Sequence, residues 1–312
     1  MLEVALLGCG GGMPMPERYL SSLLLSYRGR KILVDCGEGT QVSIRLLGWG
    51  FKTIDMICIT HGHGDHIVGL PGLLSTIGNS GRTEPLIIVG PAGIEEIIKG
   101  LRVIAPYLPY EINMIENPSE TISIGLETEG LILRDKADEI EISTLKVEHS
   151  APCLSYSFYV RRKAKFDPEK AVRNAVPKII WNKLQKTGTT EHEGILYTPD
   201  MVLGDERPGI KVSLVTDSRP IDAIPEFIKR SDLFICEGTY GDDEDLVKAV
   251  KNKHMTFREA AELARAGAVK ELLLTHFSPV MQDPEMYLGN AKAVFENTAI
   301  GWDRMVKSIN FE

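Results

Sequence analysis

The chain's potential chemistry is concentrated in one loop, because three of its seven histidines lie within His61-Gly62-His63-Gly64-Asp65-His66, directly after an apolar segment. The two glycines permit tight backbone geometry, so several side chains of this loop can converge. Imidazole nitrogens and carboxylates are favoured zinc ligands. A single histidine is more often structural, but the HxHxDH pattern at a strand end indicates a two-metal site that activates water for hydrolysis.

Three further candidate ligands follow apolar segments elsewhere in the chain: His149, Asp217 and His276. Taken singly, each could be a capping or buried polar residue. Together they place ionisable side chains at the ends of strands, where loops gather at one edge of a sandwich. We therefore expect these residues to complete the site.

The secondary structure that must position these residues can be predicted from short apolar segments, turn residues and helical periodicity. The predicted strands are 4–7, 20–27, 31–34, 56–59, 86–89, 140–147, 156–160, 211–215, 233–236 and 271–274. The predicted helices are 40–47, 67–76, 93–101, 257–266 and 284–296. Thr256 and Glu259 form a potential capping box at the start of the fourth helix. Strands with interleaved helices predict two stacked sheets covered by helices.

The composition is that of an ordinary globular protein. The 312 residues, 43% hydrophobic and 25% charged, suit one large domain or two small ones, with a core that needs no cross-link. The five cysteines form no CxxC pair, which predicts reduced thiols as in a cytosol. The N-terminus does not resemble a signal peptide, and no apolar run approaches membrane-spanning length. We therefore expect a cytoplasmic location.

The charge distribution is more informative than the net charge of −8, which argues against nucleic acid as a partner. Residues 161–186 carry nine basic and two acidic side chains, a local charge of +7, which leaves −15 for the rest of the chain. Residues 161–209 are also rich in proline and have little strand pattern. They are predicted to form an inserted arm that projects from the body, with a solvated surface segment as the alternative.

Six motifs in chain order carry a resemblance to a known family. They are Leu7-Gly8-Cys9-Gly10-Gly11-Gly12, Asp35-Cys36-Gly37-Glu38-Gly39-Thr40-Gln41, Thr60-His61-Gly62-His63-Gly64-Asp65-His66, Glu237-Gly238-Thr239-Tyr240, Lys253-His254-Met255-Thr256 and Thr275-His276-Phe277-Ser278. Over nearly its whole length the chain resembles the metallo-β-lactamase superfamily and, within it, the ribonuclease Z family of transfer-RNA 3′-processing endonucleases. The third motif specifies only the superfamily, whereas the second and the last three point to the narrower family.

The resemblance implies an α+β fold, a four-layer αββα sandwich over residues 1–312, with an RNA-binding arm inserted at 161–209. It also implies a dimetal site with two Zn²⁺ ions, although Mn²⁺ or Fe²⁺ could occupy the same ligands. The implied ligands are His61, His63 and His149 for one metal, Asp65, His66 and His276 for the other, and Asp217 as the bridge between them.

The activity implied by the resemblance is a dizinc endoribonuclease that cleaves transfer-RNA precursors at the 3′ side. A metal-activated hydroxide would attack the phosphorus and leave a 3′-hydroxyl on the transfer RNA. Asp65 would accept a proton from the nucleophile, and His254, oriented by Glu237, would stabilise the transition state or protonate the leaving oxygen. Asp35 would orient a ligand histidine.

The resemblance also implies a homodimer in which the arm of one subunit serves the other's site. The predicted phosphate contacts on the arm are Arg161, Arg162, Lys163 and Lys165. The chain departs from the family after Val176-Pro177, where Lys178 follows instead of a Gly-Pro pair, and at Val280, where the family has arginine. These departures favour an alternative, a dimetal hydrolase of a small ester such as a phosphodiester, an aryl sulfate or a lactone. A non-catalytic RNA-binding relative would instead have lost metal ligands.

Overall fold

The structure, a computed structural model, describes the backbone of residues 1–312 and the side chains of all of them except Lys186 and Thr187. Lys186 closes the predicted basic segment 161–186, so that part of the prediction lies outside the described side chains. The chain divides into two compact units. The first unit comprises Met1–Val160 and Ile210–Asn310, and the second comprises Arg161–Gly209 and Phe311–Glu312.

The strands are numbered in chain order. They are β1 Leu2–Gly8, β2 Ser22–Tyr27, β3 Arg30–Val34, β4 Ile54–Cys58, β5 Leu86–Gly90, β6 Ile112–Glu116, β7 Ile122–Leu126, β8 Leu131–Arg134, β9 Ile140–Lys146, β10 Leu154–Arg162, β11 Thr190–His192, β12 Ile195–Tyr197, β13 Arg207–Val215, β14 Leu233–Glu237, β15 Leu272–Thr275, β16 Thr298–Ile300 and β17 Met305–Ile309.

The α-helices are numbered in the same way. They are α1 Thr40–Leu46, α2 Gly64–Ile67, α3 Leu70–Asn79, α4 Ile94–Leu101, α5 Pro168–Arg173, α6 Trp181–Thr187, α7 Ile224–Phe227, α8 Leu246–Asn252, α9 Phe257–Ala266 and α10 Leu288–Lys292. Short 3₁₀ helices span Arg102–Ile104, Lys178–Ile180, Pro199–Met201, Asp243–Asp245 and Pro284–Tyr287.

The first unit contains two large sheets with helices packed on them. One sheet has the order β17-β1-β2-β3-β4-β5-β6, and the other has the order β16-β15-β14-β13-β10-β9-β7-β8. In the first sheet, Leu24 and Leu33 pack with residues of α1, α3 and α4, while their neighbours Leu25 and Ile32 face a small cavity shared with Phe158 of the second sheet. This alternation along each strand gives every sheet one face toward its helices and one toward the other sheet. On the second sheet, α9 packs against β14 and β15. The predicted αββα sandwich is therefore confirmed.

Strand direction in the second sheet gathers the predicted site residues. Strands β13, β14 and β15 are parallel neighbours in register, with Val215 opposite Cys236 and Cys236 opposite Leu274. Because parallel strands end at the same edge of a sheet, the loops that follow them lie side by side. Those loops carry Asp217 and His276.

One predicted helix is present with its predicted bounds, and two others are divided. Helix α9 has the predicted bounds, and the Thr256–Glu259 capping box is present at its start. The helix predicted at 67–76 is instead two helices, α2 and α3, because Pro71 sits in the first turn of a new helix. Likewise, the helix predicted at 284–296 contains a 3₁₀ turn before the short α10.

The second unit has a small hydrophobic core of its own, where the sequence showed little strand pattern. The hairpin β11–β12 and the helices α5 and α6 lie in this unit. Phe166 and Trp181 pack against the core, with ring centroids 5.0 Å apart, and the Trp181 indole donates to the carbonyl of Val176 at 2.9 Å. These two aromatics are therefore packing residues of the second unit. The buried members of the core are Ala171, Val176, Ile180, Leu184, Tyr197 and Val202.

Candidate dimetal active site

The loop after β4 is fixed at its start by a buried carboxylate. Asp35 accepts hydrogen bonds from the backbone amide of Thr60 at 2.8 Å and from its hydroxyl at 2.7 Å. His63 then forms the N-cap of α2, whose single turn carries Asp65 and His66. A tight turn thus delivers several polar side chains to the same side of the loop.

The structure brings together all seven residues that the sequence predicts as metal ligands. They form two groups, in each of which the potential ligand atoms lie within 4.8 Å of one another. The groups are His61, His63, His149 and Asp217, and Asp65, His66, Asp217 and His276. This partition agrees with the two sets implied by the resemblance, including the membership of Asp217 in both.

Asp217 lies between the two groups and directs one carboxylate oxygen to each. Its Oδ2 is 3.6 Å from Nε2 of His61 and 3.7 Å from Nε2 of His149. Its Oδ1 is 3.3 Å from Nε2 of His66 and 3.1 Å from Nε2 of His276. Thr216 donates its hydroxyl to Oδ1 at 2.7 Å, which helps to fix the carboxylate. Asp217 therefore faces both groups, as the resemblance implies for a shared ligand.

Four of the histidines are held through Nδ1 and present Nε2 to the site. Nδ1 of His66 is 2.7 Å from Asp35, as expected for a carboxylate that orients a ligand histidine. Nδ1 of His149 donates to the carbonyl of Lys253 at 3.3 Å. The same nitrogen of His61 faces the Thr60 hydroxyl at 3.1 Å, and that of His276 faces the Thr239 hydroxyl at 3.1 Å.

These residues fit divalent metals, as the facing nitrogens show. Nε2 of His66 is 3.3 Å from Nε2 of His276, and Nε2 of His61 is 3.0 Å from Nδ1 of His63. Two lone pairs at such distances repel unless a cation or proton lies between them. Five imidazoles and two carboxylates also form a donor set that zinc favours.

The electrostatics of the site favour bound cations. Burial lowers the pKa of His61 to about 2, so its ring is neutral and able to coordinate. Burial also lowers the pKa of His66, but the carboxylates of Asp217 and Asp35 outweigh it and hold that pKa well above its usual value. Asp217 is held ionised, because His276 and His66 lower its pKa further than burial raises it. Positive charge is thus stabilised between these side chains.

His254 and Glu237 form a pair beside the metal groups. Nδ1 of His254 lies 3.1 Å from Oε2 of Glu237, which is fully buried. The same carboxylate accepts hydrogen bonds from the Thr239 hydroxyl at 2.6 Å and from the amides of Ser218 and Met255 at 2.7 and 3.1 Å. Burial lowers the pKa of His254, but Glu237 outweighs it and raises the pKa to about 9.

The site opens into a cavity of about 290 Å³ that is lined by His63, Asp65, His149 and His254 among others. Two of its features were not foreseen from the sequence. The backbone amide of Gly12 donates to Oδ2 of Asp65 at 2.7 Å. Gly11 lies so close to His276 that a Cβ would be 2.4 Å from its Cε1. The sequence indicated a Gly-rich turn in this segment, but a turn motif alone does not show which residues the turn will contact.

The predicted phosphate contacts all lie at the start of the second unit. Arg161 and Arg162 are half-buried, whereas Lys163 and Lys165 are exposed. Arg161 pairs with Glu206 at 3.7 Å, and the guanidinium of Arg162 lies over the ring of Phe311. These residues are thus available at the surface of that unit, and their contact with a substrate stays a prediction.

A two-sheet sandwich with this site at the strand ends defines a metallo-β-lactamase-fold hydrolase. The fold is similar to that of the metallo-β-lactamase fold protein YhfI from Bacillus subtilis, with a TM-score of 0.68 and 21% identity over 98% of both chains. It is also similar to the short form of human tRNase Z, with a TM-score of 0.67 and 26% identity over 99% of this chain and 100% of that one.

Sequence comparison gives the narrower assignment. A family model described as Anti-Pycsar protein Apyc1 matches residues 2–176. Ribonuclease Z of Clostridium beijerinckii is 62% identical over 312 residues, which is 100% of this chain and 99% of the relative. The chain belongs to the ribonuclease Z family. This confirms the family and the enzyme class, a metal-dependent endoribonuclease, that the sequence motifs predicted.

Proposed function

We propose that this protein cleaves transfer-RNA precursors on the 3′ side of the transfer RNA, leaving a 3′-hydroxyl. The observation that carries the proposal is the complete site. The seven predicted ligands form two groups that share Asp217, and His254 with Glu237 lies beside them. The full-length similarity to ribonuclease Z and the fold shared with human tRNase Z support transfer RNA as the substrate.

We assign the metal ligands as the sequence predicted them. His61, His63 and His149 would hold one metal, Asp65, His66 and His276 the other, and Asp217 would bridge them. Imidazole and carboxylate donors favour zinc for both positions. The chemistry that such ions supply is a lowered pKa of water and neutralised charge on phosphoryl oxygens.

The proton transfers are assigned to residues of this chain. The Gly12 amide helps to fix the carboxylate of Asp65, which we assign to accept a proton from the attacking water. His254 uses Nδ1 for Glu237, which leaves Nε2 to donate to the leaving oxygen or to stabilise charge in the transition state. The Glu237 carboxylate, fixed by three other donors, sets the orientation of the imidazole.

We further propose that residues 161–209 form the RNA-binding arm. Arg161, Arg162, Lys163 and Lys165 would contact phosphates, and RNA shape rather than base sequence would be recognised. The five free, buried cysteines support a reducing compartment such as the cytoplasm. No α-helix among the described residues is long and apolar enough to cross a membrane.

A homodimer completes the proposal. We propose α1 as part of the contact surface, since its side chains Val42 and Leu46 lie four residues apart and are 48% and 64% exposed. Sedimentation equilibrium at several concentrations tests it, and a mass of one 34.5 kDa chain throughout would contradict it.

The alternative function is hydrolysis of a small ester by the same metals. Two departures from the family in substrate-binding segments favour it. One is Lys178 after Val176-Pro177, and the other is the 85% exposed Val280 near the cavity wall formed by Pro279.

One experiment separates the two functions. Purified protein is incubated with a transfer-RNA precursor and with bis(p-nitrophenyl) phosphate, each with and without a chelator. The proposal expects chelator-sensitive cleavage of both substrates. Turnover of the small ester alone, in a preparation with full metal content, would establish the alternative instead.

A further inference from the structure

Arg219 connects three loops of the site, although it lies neither among the proposed ligands nor in the His254–Glu237 pair. Its backbone amide donates to the carbonyl of Glu148 at 3.0 Å, forming an isolated antiparallel bridge. Glu148 precedes His149, and Arg219 follows Asp217 by two residues. The backbone of Arg219 therefore joins the loops that carry one proposed ligand and the proposed bridge.

The side chain of Arg219 reaches a third loop. Its Nη1 donates to the backbone carbonyl of His254. Nη1 and Nη2 also donate to the two carboxylate oxygens of Glu259, with Nη1 3.0 Å from Oε2, and both side chains are about 15% exposed. Only the planar fork of an arginine can bind a carboxylate in this two-point manner while also reaching a carbonyl.

Glu259, the carboxylate that Arg219 binds, is itself held in place. Glu259 is the N3 residue of α9 and forms the capping box with Thr256. Its Oε2 accepts a hydrogen bond from the amide of Thr256 at 3.0 Å. Helix α9 packs on β14 and β15, so its N-terminus is a stable reference point. His254 lies two residues before Thr256, and Arg219 ties the carbonyl of His254 to that reference point.

We infer that Arg219 is a positioning residue that holds His254 in place relative to Asp217. The hydrogen bonds from Glu237 fix the rotation of the imidazole, whereas Arg219 fixes the backbone that carries it. Misplacement of a catalytic group by about 1 Å can cost about 100-fold in rate, so a residue of this kind affects turnover without touching substrate. The inference rests on the proposed role of His254.

The test is a double-mutant cycle between Arg219→Gln and His254→Gln. The rates measured are kcat and KM for a transfer-RNA precursor and for bis(p-nitrophenyl) phosphate, together with metal content by mass spectrometry. Arg219→Gln is expected to lower kcat for the precursor about tenfold or more, with KM and metal content unchanged. In the background of His254→Gln it should have little further effect, because it acts through that residue.

The matched control is Arg258→Gln. Arg258, in the first turn of α9, also binds a carboxylate, with its Nε 2.7 Å from Oδ2 of Asp243, and this contact involves neither His254 nor the loops of His149 and Asp217. It should leave kcat unchanged. Glu259→Gln provides a second variant that removes the two-point contact while keeping Arg219, and it should reproduce a smaller part of the loss.

Three results would overturn the inference. The first is a kcat for Arg219→Gln equal to that of the Arg258→Gln control. The second is a reduction of kcat by Arg219→Gln that is as large in the His254→Gln background as in the wild type. The third is loss of metal or of folding in both Arg219→Gln and Glu259→Gln. Failure of the proposed function has a different signature. The wild-type protein would then leave the precursor intact, and the cycle would be decided on the small ester.

Discussion

At the scale of single residues, the site uses both nitrogens of its histidines. One nitrogen of His66 meets Asp35 and the other faces Asp217, so the tautomer and the orientation of the ring are set before any metal binds. Partners of this kind raise the basicity of a ligand histidine and reduce the cost of ordering it. The surrounding hydrogen bonds are therefore as much a part of the metal site as the ligands.

Asp35→Asn tests that claim. The amide has a single acceptor oxygen, so it cannot keep all the contacts that the two carboxylate oxygens make with Thr60 and His66, and we expect metal affinity to fall about 10- to 100-fold. Competition with a chromogenic chelator measures the affinity directly. Asp232→Asn is the control, because Asp232 accepts from the amide of Lys211 at 2.7 Å without contacting the site. An unchanged affinity in Asp35→Asn would show that Asp35 only stabilises the loop.

The sequence predicted the candidate ligands and the orienting roles of Asp35 and Glu237, but not the backbone groups and the arginine that position the loops of the site. Four proposed ligands share one loop, and the other three follow apolar strands, so short-range patterns reveal them. The roles of Gly12 and Lys253 depend on a backbone amide and a backbone carbonyl, which every residue possesses. Arg219 acts through partners 40 and 35 residues away at Glu259 and His254, a separation that no local pattern encodes.

At the scale of elements, the Gly-rich turn after β1 connects two proposed ligands that are far apart in the sequence, Asp65 and His276. Its Gly12 amide binds Asp65, and Gly11 packs against the ring of His276. Backbone hydrogen bonds hold this segment in place: the amide of Gly11 donates to the carbonyl of Phe277, and the amide of Gly10 donates to that of Tyr19. A side chain at position 11 would therefore displace His276 rather than the turn.

Gly11→Ala is expected to weaken the metal position that includes His276. Its Cβ would lie 2.4 Å from Cε1 of that ring, closer than van der Waals contact allows. Metal analysis should show a fall from two ions toward one per chain after dialysis, while the melting temperature of the metal-free protein changes little. Gly50→Ala is the control, since a Cβ there meets no atom within 4 Å. Two retained ions in Gly11→Ala would refute this account of the turn.

Most of the strands that the sequence did not predict are edge strands. Four of them, β6, β8, β16 and β17, form the edges of the two large sheets. Edge strands are short and only partly buried, so their apolar pattern is weak. By contrast, β4 and β14 are buried at every position and were predicted within a few residues of their ends.

At the scale of the whole molecule, chemistry and RNA binding are assigned to different units. The first unit carries every proposed ligand, and the second carries the basic segment and its own small core. Because Ala171 and Val176 pack with Tyr197 and Val202, deletion of residues 161–186 would expose that core. Changes of surface charge are therefore a cleaner test of the arm than deletion.

The double variant Lys163→Gln/Lys165→Gln should weaken binding of a transfer-RNA precursor without slowing small-ester turnover. Both side chains are exposed, and each lost phosphate contact should reduce the slope of log affinity against log salt by about one. Filter binding across a salt series measures the slope. Lys229→Gln, an exposed lysine of the first unit, is the control. A slope equal to that of the wild type would contradict the assignment of these contacts.

The central claim is hydrolysis of a phosphodiester in a transfer-RNA precursor by the dimetal site, and the most direct test is the chemistry of the cut ends. The metal-loaded protein is incubated with a precursor that carries a 3′ trailer, and both fragments are analysed by mass spectrometry. We expect a single cut that leaves a 3′-hydroxyl on the transfer RNA and a 5′-phosphate on the trailer. A 2′,3′-cyclic phosphate, or an intact precursor beside hydrolysed bis(p-nitrophenyl) phosphate, would contradict it.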